Sequence, residues 1–175
     1  MQGPAQANGA TLERRSADGT LSLEIDGQLV RGESLRVAVV VARFNSEITE
    51  RLHAAAVARL IQLGVPLASI VTSWVPGAFE IPLMAKAHLR AGADAVLALG
   101  CVIRGETTHY ESVCNAVERG CTMVQLEFAR PVVFGVVTTE NVEQARDRAG
   151  GRHGNKGAEA ADVAIEMFFR IKGLT

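Results

Sequence analysis

The stretch "LRVAVVVARF", residues 35–44, carries aliphatic side chains at nearly every position. A strand with one wet face alternates apolar and polar residues, so a run without that alternation is covered on both faces. Cover on both faces means helices packed on either side of a parallel sheet. The rest of the chain repeats the pattern. In "SEITERLHAAAVARLIQLG" (46–64), Ile48, Leu52, Ala56 and Leu60 stand four apart and Gly64 ends the run, as in an amphipathic helix. "ASIVTSWV" (68–75) reads as a β-rich strand closed by Pro76-Gly77, and "FEIPLMAKAHLRAG" (79–92) as a helix that tolerates Pro82 in its first turn. A strand over "AVLALGCVIRG" (95–105), a helix from about Thr108 to Ala129 and a strand over "PVVFGVVTT" (131–139) follow. Asn141 and Gln144 have capping-box spacing for a short helix through Ala149. A Gly-rich break at 150–157 leads to a last helix striped by Ala161, Ile165 and Phe168. Four aliphatic strands alternating with helices predict a three-layer α/β/α sandwich around a four-stranded parallel sheet. Upstream, "LSLEIDGQL" (21–29) alternates and turns at Asp26-Gly27, which predicts a short N-terminal edge strand. Residues 1–20 are polar and Gly/Ala-rich, a flexible arm ahead of a single domain at 21–175.

Composition narrows the function. At 48% hydrophobic and 21% charged, with a net charge of −1, the chain has no basic footprint for nucleic acid or an anionic membrane. No apolar stretch reaches the roughly 18–20 residues of a membrane span, and the N-terminus lacks the apolar core of a secretory signal. A cytoplasmic location is expected. Cys101, Cys114 and Cys121 match neither a zinc knuckle nor C-x-x-C and read as buried free thiols. His53 and His88 lie mid-helix without a supporting motif and read as surface or structural residues.

In parallel sheets, ligands bind beyond the carboxyl ends of the strands. Those ends carry Phe44-Asn45, Pro76 to Glu80, Cys101 to His109, and Phe134 to Thr139, with a further loop bearing Arg148, Arg152, His153 and Lys156. "GETTH" (105–109) is the most informative. Gly105 lets backbone approach a ligand, the amides of Glu106 and Thr107 open a helix, and Thr108 with Glu111 has capping-box spacing. Such a start suits a phosphate, with His109 beside it to move protons and Arg148 or Lys156 as the cation. It is equally readable as ordinary capping. Phe44 is a core aromatic or a flat face for a heterocycle. Glu80 complements a helix dipole or serves the site. "RHGNKG" (152–157) is a solvated loop or a phosphate clamp. No metal-ligand spacing, P-loop, G-x-S-x-G or G-x-G-x-x-G appears, which leaves proton transfer and positioning without a metal or cofactor.

Five segments, "ARFN" (42–45), "VPGAFEIP" (75–82), "GCVIRGETTHYE" (100–111), "FGVVTTENVEQA" (134–145) and "RAGGRHGNKG" (148–157), in this order and spacing, resemble the lumazine synthase family of riboflavin biosynthesis. The likeness runs from about residue 20 to the C-terminus; residues 1–20 have no counterpart. It implies a flavodoxin-like strand order and a transferase that condenses 5-amino-6-(D-ribitylamino)uracil with 3,4-dihydroxy-2-butanone 4-phosphate. By matched motif, Phe44 and Phe134 would enclose the uracil, while Ala78, Phe79, Glu80, Cys101, Val102 and Ile103 would contact the uracil and ribityl groups. Glu106, Thr107 and Arg148 would hold the phosphate, His109 would transfer protons, and Asn45 and Lys156 would be further contacts. The likeness also implies a homo-oligomer with Phe134, Arg148 and Lys156 reaching across a subunit boundary. That oligomer would be a pentamer, with a sixty-subunit shell suggested by the short "GGRHGNKG" turn and riboflavin synthase as a companion. A flavodoxin-like binding module would instead need a Ser/Thr/Gly-rich loop where "ARFNSEI" stands, and a shell protein with a vestigial site would lack the polar groups kept here.

Overall fold

Odd and even residues of the central aliphatic run serve different layers. In the computed structural model, which describes residues 11–25 and 27–174, every residue from 37 to 42 is buried. Val37, Val39 and Val41 join one apolar cluster and Ala38, Val40 and Ala42 join another. Pleating sends successive side chains to opposite faces, so a strand covered twice must be apolar throughout.

The elements in chain order are strands β1 (Leu12–Arg15), β2 (Leu21–Ile25), β3 (Gln28–Val30) and β4 (Val37–Ala42), then helix α1 (Ser46–Gln62) and strand β5 (Ile70–Val75). Helix α2 (Ile81–Arg90), strand β6 (Ala95–Ile103), helix α3 (His109–Phe128), strand β7 (Val132–Thr139) and helix α4 (Val142–Arg148) follow. A small ribbon of β8 (Ala149–Gly151) and β9 (Gly154–Asn155) leads into α5 (Lys156–Lys172). The main sheet runs β5-β4-β6-β7, all parallel, which is the flavodoxin-like order for four strands. Helices α1 and α5 cover one face through Ile48, Leu52, Ala56, Leu60, Ala161 and Ile165. Helices α2 and α3 cover the other through Ile81, Ala85, Leu89, Val117, Cys121 and Val124. Gly157 sits where α5 crosses α1, and a methyl group there would overlap the carbonyl of Leu52. Among the described residues no helix is long and apolar enough to cross a membrane.

Several boundaries differ from the sequence expectation. Strand β5 begins at Ile70 rather than 68, because Leu67–Ser69 winds into a 3-10 turn after Pro66. Helix α2 begins at Ile81, behind a second 3-10 turn at Ala78–Glu80. The segment at 21–25 is a strand, but it is not an edge of the parallel sheet. It is the middle of a separate antiparallel sheet, β1-β2-β3. Leu21, Leu23 and Ile25 bury its inner face in the α1/α5 cluster, and Arg59 ties Glu13 of β1 to Asp162 of α5. Part of the expected arm is therefore paired strand; residues 1–10 of it, and Asp26 of the expected turn, lie outside the described residues.

Candidate active site

The crest of the sheet is built by three strand-to-helix turns. After β4 the chain reverses at Asn45, which takes the left-handed conformation (φ 58°) that asparagine tolerates better than most residues. Its carbonyl accepts from the Ile48 and Thr49 amides at 2.9 and 3.1 Å, and its side-chain amide donates to the Cys101 carbonyl at 2.9 Å. One residue thus starts α1 and ties the β4 turn to β6. Phe44, held just before it, is 71% exposed, which discards the core-aromatic reading. After β5, a Glu80 carboxylate oxygen accepts from the Gly77 amide at 2.9 Å and closes the Pro76-Gly77 turn.

After β6 the chain runs through Arg104 and Gly105 into α3. Thr108 occupies the cap position of α3, yet its side chain makes no capping bond. The capping-box expectation fails because Glu111 is engaged elsewhere, by the guanidinium of Arg104. The Thr107 hydroxyl instead accepts weakly from the His109 amide at 3.4 Å. His109, the first residue of α3, is exposed.

These turns enclose a cavity of about 670 Å³. Phe44, Pro76, Gly77, Ala78, Phe79, Glu80, Cys101, Val102, Ile103, Gly105, Thr107 and His109 line it. Nine of these are expected site residues and the other three, Pro76, Gly77 and Gly105, are their loop neighbours, gathered from three separate turns. Tyr110 and Val113 also line it and were missed by the sequence reading. Val113 stands one helical turn beyond His109, so the i, i+4 relation was the available signal. Glu106 is exposed and is not part of the lining. Asn45 is likewise behind the wall rather than in it. The cavity contains a carboxylate, an imidazole and two exposed phenyl rings but neither arginine nor lysine.

The remaining expected residues lie elsewhere. Phe134, Arg148 and Lys156 line a second hollow of about 280 Å³ along β7 and α5, with Thr138, Glu159 and Val163. Phe134 pairs with Ala98 in the ladder, five residues before the strand ends at Thr139 (139 − 134). At strand rise it sits roughly 16 Å below the crest. Phe134 is 43% exposed. Arg148 donates to the Gln144 backbone carbonyl of its own helix at 3.2 Å.

Thiol chemistry is disfavoured. Burial pushes the Cys101 thiol up to about 11 and the Cys121 thiol up to about 12, so both stay protonated. Cys114 departs from expectation in being only partly buried. His53 and His88 are partly buried, each bonded to a hydroxyl of β5 (Thr72 at 2.9 Å, Ser73 at 2.8 Å).

Comparisons with known proteins bear on the family of the chain. The family model for 6,7-dimethyl-8-ribityllumazine synthase matches residues 34–172. A protein of Cytophaga hutchinsonii bearing the name 6,7-dimethyl-8-ribityllumazine synthase is 51% identical over 153 residues, spanning 87% of this chain and 96% of its own.

Proposed function

The chain belongs to the 6,7-dimethyl-8-ribityllumazine synthase family, and from that premise we propose how its residues divide the work. It is a transferase of riboflavin biosynthesis that forms 6,7-dimethyl-8-ribityllumazine. In our reading its substrates are 5-amino-6-(D-ribitylamino)uracil and 3,4-dihydroxy-2-butanone 4-phosphate. The 5-amino group attacks the ketone and expels water to give an imine. Phosphate then leaves by elimination, and ring closure expels a second water.

Phe44 stacks on the pyrimidine, the turn at Ala78–Glu80 and the strand end at Cys101–Ile103 contact its polar edge and the ribityl chain, and the amides at Glu106 and Thr107 face the phosphate. His109 carries protons between the amine, the carbinol oxygen and the leaving groups. None of these steps demands a strong base, so most acceleration comes from holding two substrates side by side, an effect worth up to roughly 7–11 kcal/mol.

One observation carries the finer reading: the cavity that would receive a phosphate dianion has no cation of its own, while the hollow along β7 carries two. A copy of the chain that sets its β7–α5 flank against the crest of its neighbour supplies Phe134, Arg148 and Lys156 where they are lacking. Repeated head to tail, such a contact closes into a ring. We read the assembly as a cytoplasmic pentamer able to build a larger shell, with riboflavin synthase as its companion.

Mixing two impaired variants, assayed at low butanone phosphate, tests the split. His109→Ala and Arg148→Ala chains, unfolded together and reassembled, would regain activity because about one site in four would combine an intact crest with an intact flank. Lumazine fluorescence reports the result. No regain above the separately reassembled variants would place both groups on one chain's site and overturn the shared pocket.

A further inference from the structure

We propose that Arg104 is the positioning residue of the phosphate-facing loop 105–109, acting through Glu111, Glu140 and Tyr110; this rests on the reading of that loop given above. Arg104 does not line the cavity. Its backbone amide extends the β6–β7 ladder by donating to the Thr139 carbonyl at 2.9 Å. Its guanidinium then spans the two strand ends and the helix start. Nε donates to Glu140 at 2.7 Å, just past β7, and Nη1 donates to Glu111 in the first turn of α3. The same group lies over the Tyr110 ring, 4.3 Å from its centroid.

The consequence is a closed staple. The chain leaves β6 at Arg104, passes through Gly105, Glu106, Thr107, Thr108 and His109, and is caught again by the same side chain at Tyr110 and Glu111. A glycine at 105 and an uncapped Thr108 give that turn little rigidity of its own. The staple therefore fixes the amides that would face the phosphate and the residue that would move the proton. Arg104 also balances two carboxylates at the edge of a site meant for a dianion. Glu111 depends on it most, since its second oxygen is shielded from solvent and makes no hydrogen bond to another described residue. A planar fork suits two carboxylates and a ring at once; an ammonium cannot serve all three.

Steady-state kinetics with each substrate varied in turn test this. Arg104→Met should raise KM for the butanone phosphate by roughly tenfold or more, as displacement of a positioned group does, and leave KM for the ribitylaminouracil within about twofold. Arg104→Lys should fall between Met and wild type. Equal change in both KM values, or change in neither, would overturn the proposal. If Arg104→Met fails to fold, Arg104→Lys decides: a KM for the phosphorylated substrate equal to wild type would overturn it. Thr107→Val in the same assay separates this idea from its premise. If Thr107→Val raises that KM while the Arg104 variants do not, only the staple is wrong. If Thr107→Val and Arg148→Ala both leave it unchanged, the phosphate does not sit at this loop and the premise falls.

Discussion

The crest cavity and the β7 flank hollow are complementary in what each lacks. The crest has Phe44, Glu80, Thr107 and His109 but no cation; the flank has Arg148, Lys156 and a half-exposed Phe134 but no histidine. Parallel sheets concentrate ligand groups at the carboxyl ends of strands because that is where loops and helix starts converge. The flank breaks that habit. Its aromatic residue lies mid-strand, and an edge strand has a side open to a neighbour. In our reading, groups displayed there serve another copy, which would tie catalysis in this chain to assembly.

The comparison breaks most visibly at His109. In our reading His109→Ala lowers kcat by about 10²–10⁴, the usual worth of a general acid–base group, while KM for the phosphorylated substrate changes little. A far larger loss would mean that the imidazole does more than carry protons. The flank should answer in the opposite parameter. Arg148→Ala should raise KM for the butanone phosphate by roughly one to two orders of magnitude, as loss of a charge-assisted hydrogen bond does, with a smaller effect on kcat. If direct titration gave an unchanged affinity for that substrate, Arg148 would leave the site and the flank would lose its role.

A subtler test lies inside the crest. Asn45 combines a left-handed backbone with a side-chain bond to Cys101, and two variants separate these. Asn45→Gly keeps the backbone freedom and drops the bond; Asn45→Ala drops both. The alanine variant should be less stable than the glycine variant by about 1 kcal/mol in urea unfolding. Both should weaken the ribitylaminouracil a few-fold, since Phe44 would no longer be tied to β6. Equal stability of the two would show that the turn does not need its positive φ.

Much of this could be read from sequence, for reasons that differ by feature. The four strands and their helices were legible because their periods are local: Ile48, Leu52, Ala56 and Leu60 mark α1 wherever it packs. The crest turns were legible because a topological rule says where they must be. Features set by distant partners were not. Glu111 looks like the end of a capping box, but Arg104, seven residues upstream, takes its carboxylate. The strand at Leu12–Arg15 carries four exposed residues and no apolar alternation, so only its pairing with β2 defines it. The separation of Phe134 from the crest followed from the resemblance alone, although its distance from the strand's end could have been counted.

The smallest expected effect concerns histidines outside both half-sites, and it sharpens the contrast with His109. His53 and His88 flank the edge strand β5, and burial holds both below the usual imidazole range. Each is bonded to a hydroxyl, Thr72 or Ser73, which a neutral ring can satisfy from either nitrogen role. A group whose folded pKa is depressed leaves the folded state with fewer protons than the unfolded one. Stability is therefore complete above the unfolded value, near 6.5, and declines as pH falls from there towards the folded values. Because both rings are only partly buried, the loss is small: Tm should fall by roughly 1–3 °C between pH 7.5 and 5.5. Glu47 and Asp147, held low by Arg146 and Arg152, lose their contribution in more acid solution, as pH falls below the usual carboxylate range. Thermal unfolding of a His53→Gln/His88→Gln variant should flatten the slope between pH 7.5 and 5.5 and leave the acid limb intact. An unchanged slope would show that neither of these two rings carries the proton uptake on unfolding.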